Sequence, residues 1–119
     1  MAPAITSTAG TGTFPTGAGG ALESGTFYET AFTDYQGSGG ASRHGVLILD
    51  VTAGTIRVAE GDVGGTTSIT LATFTTSGNS LDLTQGCGGT GQGSLPYTYA
   101  AGVLTIYNPS KNVTAFTKQ

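Results

Sequence analysis

From residue 25 to the C-terminus, β-branched and aromatic side chains come in runs of five to eleven residues, and glycine, asparagine, aspartate or proline separates one run from the next. The runs are 26–36 (TFYETAFTDYQ), 44–52 (HGVLILDVT), 55–60 (TIRVAE), 66–76 (TTSITLATFTT), 79–85 (NSLDLTQ), 96–100 (PYTYA), 103–107 (VLTIY) and 112–118 (NVTAFTK). No segment repeats an apolar i, i+3, i+4 spacing, so this punctuation predicts short strands and no helix. Ala53-Gly54, Ser77-Gly78 and Ala101-Gly102 place a glycine where a hairpin needs a positive φ. Strands joined by such turns must pair antiparallel.

Alternation assigns faces. Leu81 and Leu83 share one side of their strand, as do Ile56 and Val58, and Leu104 and Ile106. The segment 46–51 (VLILDV) is apolar on both faces, which predicts cover on both sides or a subunit contact. Eight short antiparallel strands with tight turns predict a small all-β, up-and-down barrel over 25–119. The alternative is a two-sheet β-sandwich, but its Greek-key crossings need long connections, and this chain has few. Residues 1–24, rich in glycine, threonine and alanine, read as a linker or loosely held arm that Phe14 could anchor.

Charge narrows the partners. Of 119 residues only 9% are charged, against a usual quarter. Four Lys and Arg and a net charge of −3 give no cationic surface for a nucleic-acid backbone. No run has the length of a membrane-spanning helix. Scarce lysine with abundant glycine and threonine suggests an exported protein.

The second half of the chain resembles the closing strands of small lipocalin-like (calycin-type) domains of secreted bacterial lipoproteins. The residues that carry the likeness are Gly78, Leu81, Leu83, Cys87, Tyr97, Tyr99, Leu104, Tyr107 and Phe116, and the opening 19–35 (GGALESGTFYETAFTDY) resembles their first strand. The resemblance implies an eight-stranded meander barrel, an extracytoplasmic location and a lipid anchor upstream of Ala2. The chain has no Trp, and so lacks the Gly-x-Trp signature of conventional lipocalins.

Motifs for chemistry are sparse. Residues 86–91 (GCGGTG) fit G-x-G-x-x-G, but a dinucleotide fingerprint needs a helix to follow, and SLPYTY cannot start one. Cys87 would need a base to act as a nucleophile. The one histidine, His44, with Asp34 or Asp50 as orienter, is the single candidate; otherwise Cys87 is an idle thiol near a loop, buried or free, or half of an intermolecular disulfide. One His and one Cys do not make a metal site. Asn112-Val113-Thr114 fits the N-glycosylation pattern. Threonine ladders of the ice-binding kind need a regular repeat, which these strands lack.

The aromatic set points to binding. Tyr28 and Phe32, four apart, are expected to share a face, as are Tyr97 and Tyr99. Turned inward, the four would either fill a small barrel as plain core or line a ligand pocket with hydroxyl handles. Glu29 and Arg57 fall on the opposite parity from these core-like neighbours and are expected to be exposed; if the lumen is polar, they would be its charged members. The expectation is a non-catalytic barrel that binds a small apolar or amphipathic ligand or a surface partner, with no cofactor, no metal and no catalytic residues. The alternative is a structural subunit that self-associates through 46–51 or the N-terminal arm.

Overall fold

The computed structural model describes residues 3–37, 39–65, 67–87 and 92–119; the side chains of Gln85, Cys87 and Gln92 lie outside the described set. Eight long strands follow one another as β3 (Gly25–Asp34), β4 (Ser42–Asp50), β5 (Thr55–Asp62), β6 (Thr67–Ser77), β7 (Ser80–Cys87), β8 (Gln92–Ala100), β9 (Val103–Asn108) and β10 (Asn112–Lys118). Two short strands, β1 (Ile5–Thr6) and β2 (Thr8–Ala9), lie in the arm. Each long strand pairs antiparallel with the next, and β10 returns to pair with β3. With β3 also paired to β4, the sheet closes on itself. The protein is an all-β, closed eight-stranded up-and-down barrel of lipocalin-like form.

The connections β3–β4, β5–β6, β7–β8 and β9–β10 gather at one end, the loop end. The shorter turns β4–β5, β6–β7 and β8–β9 gather at the other, the turn end. Alternation sets the interior as expected. Leu47 and Leu49, Ile56, Leu81, Leu104 and Ile106 are buried. They meet Phe27, Ala72, Tyr97, Tyr99 and Phe116 in one core cluster, and each fully buried large apolar side chain contributes about 1.5–3 kcal/mol. Most of this cluster sits towards the turn end.

Two strands start earlier than the punctuation suggests. Strand β4 begins at Ser42 and takes in Arg43, and β8 begins at Gln92. In β8, Gln92 to Pro96 pair with Thr84 to Ser80, so the length of β7 draws the glycine-rich flank into the sheet.

The arm is bound along its length. Pairing between β3 and β4 covers only Gly25 to Tyr28 against Leu49 to Val46. Beyond it β3 carries a bulge at Thr30, where its register to β10 slips. Bulges bend the strand that carries them. The opened seam is filled by the arm: β1 pairs with β4 at Arg43 and Ser42, and β2 runs parallel to β3 at Thr33 and Asp34. Ser7, between them, is buried. Its N–H donates to the Ala41 carbonyl at 2.7 Å, and its hydroxyl accepts from the Ala41 N–H at 3.0 Å. Further on, Gly19 exchanges backbone hydrogen bonds with Tyr97 and Tyr99 along β8. Unpaired strand edges and the opened seam are what hold this segment, and neither is visible in its composition.

Candidate functional site

The inward face of β3, β4 and β5 becomes charged towards the loop end. Glu29 is fully buried, 0% exposed. Its Oε2 accepts a hydrogen bond from Arg43 Nε at 3.1 Å. The same guanidinium lies 3.6 Å from Glu60 and 3.5 Å from Asp62. Its face stacks on the Phe32 ring, 3.9 Å from the centroid, within the range of a cation–π contact. One cation therefore serves three carboxylates.

Among the described residues, Glu29 Oε1 is buried with no hydrogen-bond partner. Burial pushes the Glu29 carboxyl above its ordinary value; Arg43 opposes the shift, Glu60 adds to it, and His44 opposes it weakly. A carboxyl whose charged form is disfavoured, held against an arginine inside a barrel, is the kind of perturbed group that gathers at functional sites.

Beside this corner the barrel is unfilled. A cavity of about 220 Å³ is lined by Ile56, Val58, Leu81, Leu83, Ile106 and Phe116 among its apolar residues, with Glu60, Thr70, Asn108 and Thr114 as its polar ones. Its floor is the core cluster, and its polar positions lie nearer the loop end.

The expected aromatic pocket is not assembled. Tyr28 and Phe32 do not share a face. Phe27 and Glu29 point inward and Tyr28, between them, outward, while Phe32 lies opposite the buried Thr114. The bulge at Thr30 inserts one residue and so reverses the parity between 28 and 32. Phe32 supports Arg43. Tyr97 and Tyr99 are inside, but their hydroxyls donate to the Gly20 carbonyl (2.6 Å) and to Glu23 (2.7 Å) of the arm. Desolvation, then Glu23, pushes the Tyr99 phenol up to about 12. None of the four lines the cavity.

Glu29, expected outside unless the lumen is polar, is inside, because it shares the inward parity of Phe27. Arg57 is exposed on the outer face of β5, because its neighbour Ile56 takes the inward position. Arg43 and Glu60 complete the corner. The signal for Arg43 is its place two residues before Gly45 and four before Leu47, on the inward parity of β4.

The other motifs are absorbed by turns. Asp34 Oδ1 accepts the N–H groups of Gln36 and Gly37, and Asp50 Oδ1 accepts that of Ala53. Asn112 accepts from the Asn108 amide and donates to the Ser110 hydroxyl. The backbone of Cys87 on β7 pairs with Leu71 on β6, three strands away from β4 and His44; the Cys87 side chain lies outside the described residues. Among the described residues no group of three or more His, Cys, Asp and Glu is placed to hold a metal ion.

Comparisons with protein-family models, with curated proteins and with solved structures returned no match.

Proposed function

We propose that this barrel is an extracytoplasmic, non-catalytic binding module that takes a small apolar or amphipathic ligand into its interior. The observation that carries the reading is the division of that interior: core side chains fill it towards the turn end, and the 220 Å³ cavity is left beside the Glu29–Arg43–Glu60 corner. Clefts for drug-sized ligands measure roughly 300–1,000 Å³, so the occupant is smaller than those. An apolar wall with a few convergent polar groups is the usual make-up of such sites. Scarce charge and glycine-threonine richness support the location, and the lipocalin-like form of the barrel agrees with both.

The test is native mass spectrometry of the purified protein, followed by ligand titration of wild type and a Leu83→Trp variant. Adducts or titratable binding in wild type, lost when the indole fills the cavity, support the reading. Binding unaffected by Leu83→Trp would move the ligand out of the barrel.

A second reading, self-association, is favoured by the outer face of β4, β5 and β6. Cross-strand register aligns Val46, Ala59 and Ile69 in one row and Ile48, Arg57 and Leu71 in the next. Ile69 is 75% exposed, Ile48 43% and Leu71 38%. The outward half of 46–51 is thus uncovered in the single chain, and such apolar patches mark contact surfaces. Light scattering on wild type and Ile69→Lys tests it: an oligomer that the lysine dissociates supports it, and a wild-type monomer at high concentration removes it.

A further inference from the structure

The cavity carries information about the charge of its occupant. We propose that it selects a small amphipathic cation, a primary alkylammonium, with the ammonium on Glu60 and the alkyl body against Ile56, Leu83, Ile106 and Phe116. The inference rests on the binding-module reading and adds a ligand class to it.

Among the described residues lining the cavity, Glu60 is the one charged side chain. Its compensation is weak. Arg43 Nη2 is 3.6 Å away, while the hydrogen bonds of the guanidinium go to the buried Glu29 at 3.1 Å and to Asp62 at 3.5 Å. Three carboxylates on one guanidinium leave an excess of negative charge at this corner even when Glu29 holds a proton. There, Oε1 of Glu29 is buried with no hydrogen-bond partner among the described residues.

Arg43 is not available to an anion. Its fork is directed at carboxylates, Phe32 covers one face of it, and it does not line the cavity. A carboxylate ligand would meet Glu60, with no cation among the described lining residues to receive it. An ammonium instead brings three donors to a wall that offers the Glu60 carboxylate, the Thr70 and Thr114 hydroxyls and the Asn108 amide. Charge-assisted hydrogen bonds of this kind exceed neutral ones.

Three probes of one chain length decide the matter: n-pentylamine, n-pentanol and pentanoate, titrated at pH 7 by calorimetry and by methyl chemical shifts of Leu83, Ile106 and Thr70. The expected order is amine, alcohol, pentanoate, with the amine ahead of the alcohol by about tenfold or more. In Glu60→Gln the amine should fall to the level of the alcohol, while the alcohol is unchanged. Glu60 is partly exposed, so the variant should fold, and Glu60→Ala provides a second check. Alcohol binding as tightly as amine, pentanoate binding most tightly, or an amine preference that survives Glu60→Gln would each overturn the cation inference and leave the cavity reading intact. If none of the three shifts the cavity methyls, both fail together.

Discussion

A β-carbon placed on Gly45 would stand 2.5 Å from Oε1 of Glu29 and 3.1 Å from its Cβ. The buried carboxylate on β3 occupies the side-chain space that β4 leaves empty. Alanine in place of a strand glycine usually stabilises by about 0.5–1 kcal/mol. Here the sign reverses, because Arg43 pins the other carboxylate oxygen and the clash reaches the Glu29 stem. Gly45→Ala should cost about 1–3 kcal/mol, in the range of core overpacking. In a Glu29→Ala background the same change should cost nothing or stabilise. Urea denaturation of the two single variants and the double variant measures this coupling, and additive effects would mean that the two residues do not share the space.

Removing Arg43 should hurt more at neutral than at acid pH. Burial already holds the Glu29 carboxyl above its ordinary value of 4.5, with Arg43 and His44 pulling down and Glu60 pushing up. The folded state therefore binds this proton more readily than the unfolded chain. Its contribution to stability is full below the unfolded value and is lost as pH rises through the folded one. Arg43→Leu leaves an uncompensated buried carboxylate and raises the folded value further. The expected loss is about 3 kcal/mol at pH 7.5, shrinking towards pH 4, where Glu29 can take its proton. Glu29→Gln removes the titration and should flatten the pH dependence above 4.5. Chemical denaturation from pH 4 to 8 on the three proteins reads both effects.

The barrel interior and the arm are joined through two tyrosine hydroxyls, so core substitutions should be felt at the N-terminus. Tyr97→Phe deletes the bond to the Gly20 carbonyl and leaves that carbonyl short of a donor, a loss of about 1 kcal/mol. Gly20→Ala should act more strongly. Gly20 has φ +133, and a β-carbon there would overlap the Tyr99 carbonyl oxygen. Both variants should speed amide exchange and proteolysis within residues 17–24 while the exchange of Leu47 and Leu104 stays slow. Equal acceleration in arm and core would show that the arm opens only with the whole barrel.

The strands were legible because their signal is local. Alternation over 55–60 and 79–85 and the hairpin glycines specify strand, face and turn within a few residues. Closure followed from tight turns alone. What escaped depends on partners distant in sequence. The bulge at Thr30 exists in the register between β3 and β10, and it alone decides that Phe32 turns inward while Tyr28 does not. Arg43 sits at the end of a glycine-serine stretch that reads as loop, and it becomes strand because Asp62 and Ile5 pair with it from either side. The arm has the composition of a linker, yet the seam and the free edge of β8 give its backbone groups partners. Of the site, parity with Tyr28 put Glu29 on the outer face, whereas it lies inside with Phe27, and its arginine was hidden in a loop-like stretch.

One hairpin can be improved, and the change is predictable in sign. The β8–β9 turn is the pair Ala101-Gly102, with φ +53 and +78, between the paired Ala100 and Val103. Positive φ at both central positions is the two-residue turn for which Asn-Gly is preferred. Ala101 is exposed, so its side chain makes no packing contribution to lose. A left-handed conformation costs a non-glycine L-residue about 1–2 kcal/mol, less for asparagine. Ala101→Asn should therefore stabilise by about 0.5–1 kcal/mol and raise Tm by about 2–6 °C. Ala101→Val should do the reverse, since a β-branched side chain tolerates positive φ worst. Calorimetric melting of the three proteins checks the order Asn above Ala above Val. Any other order would mean that the turn does not hold these angles in solution.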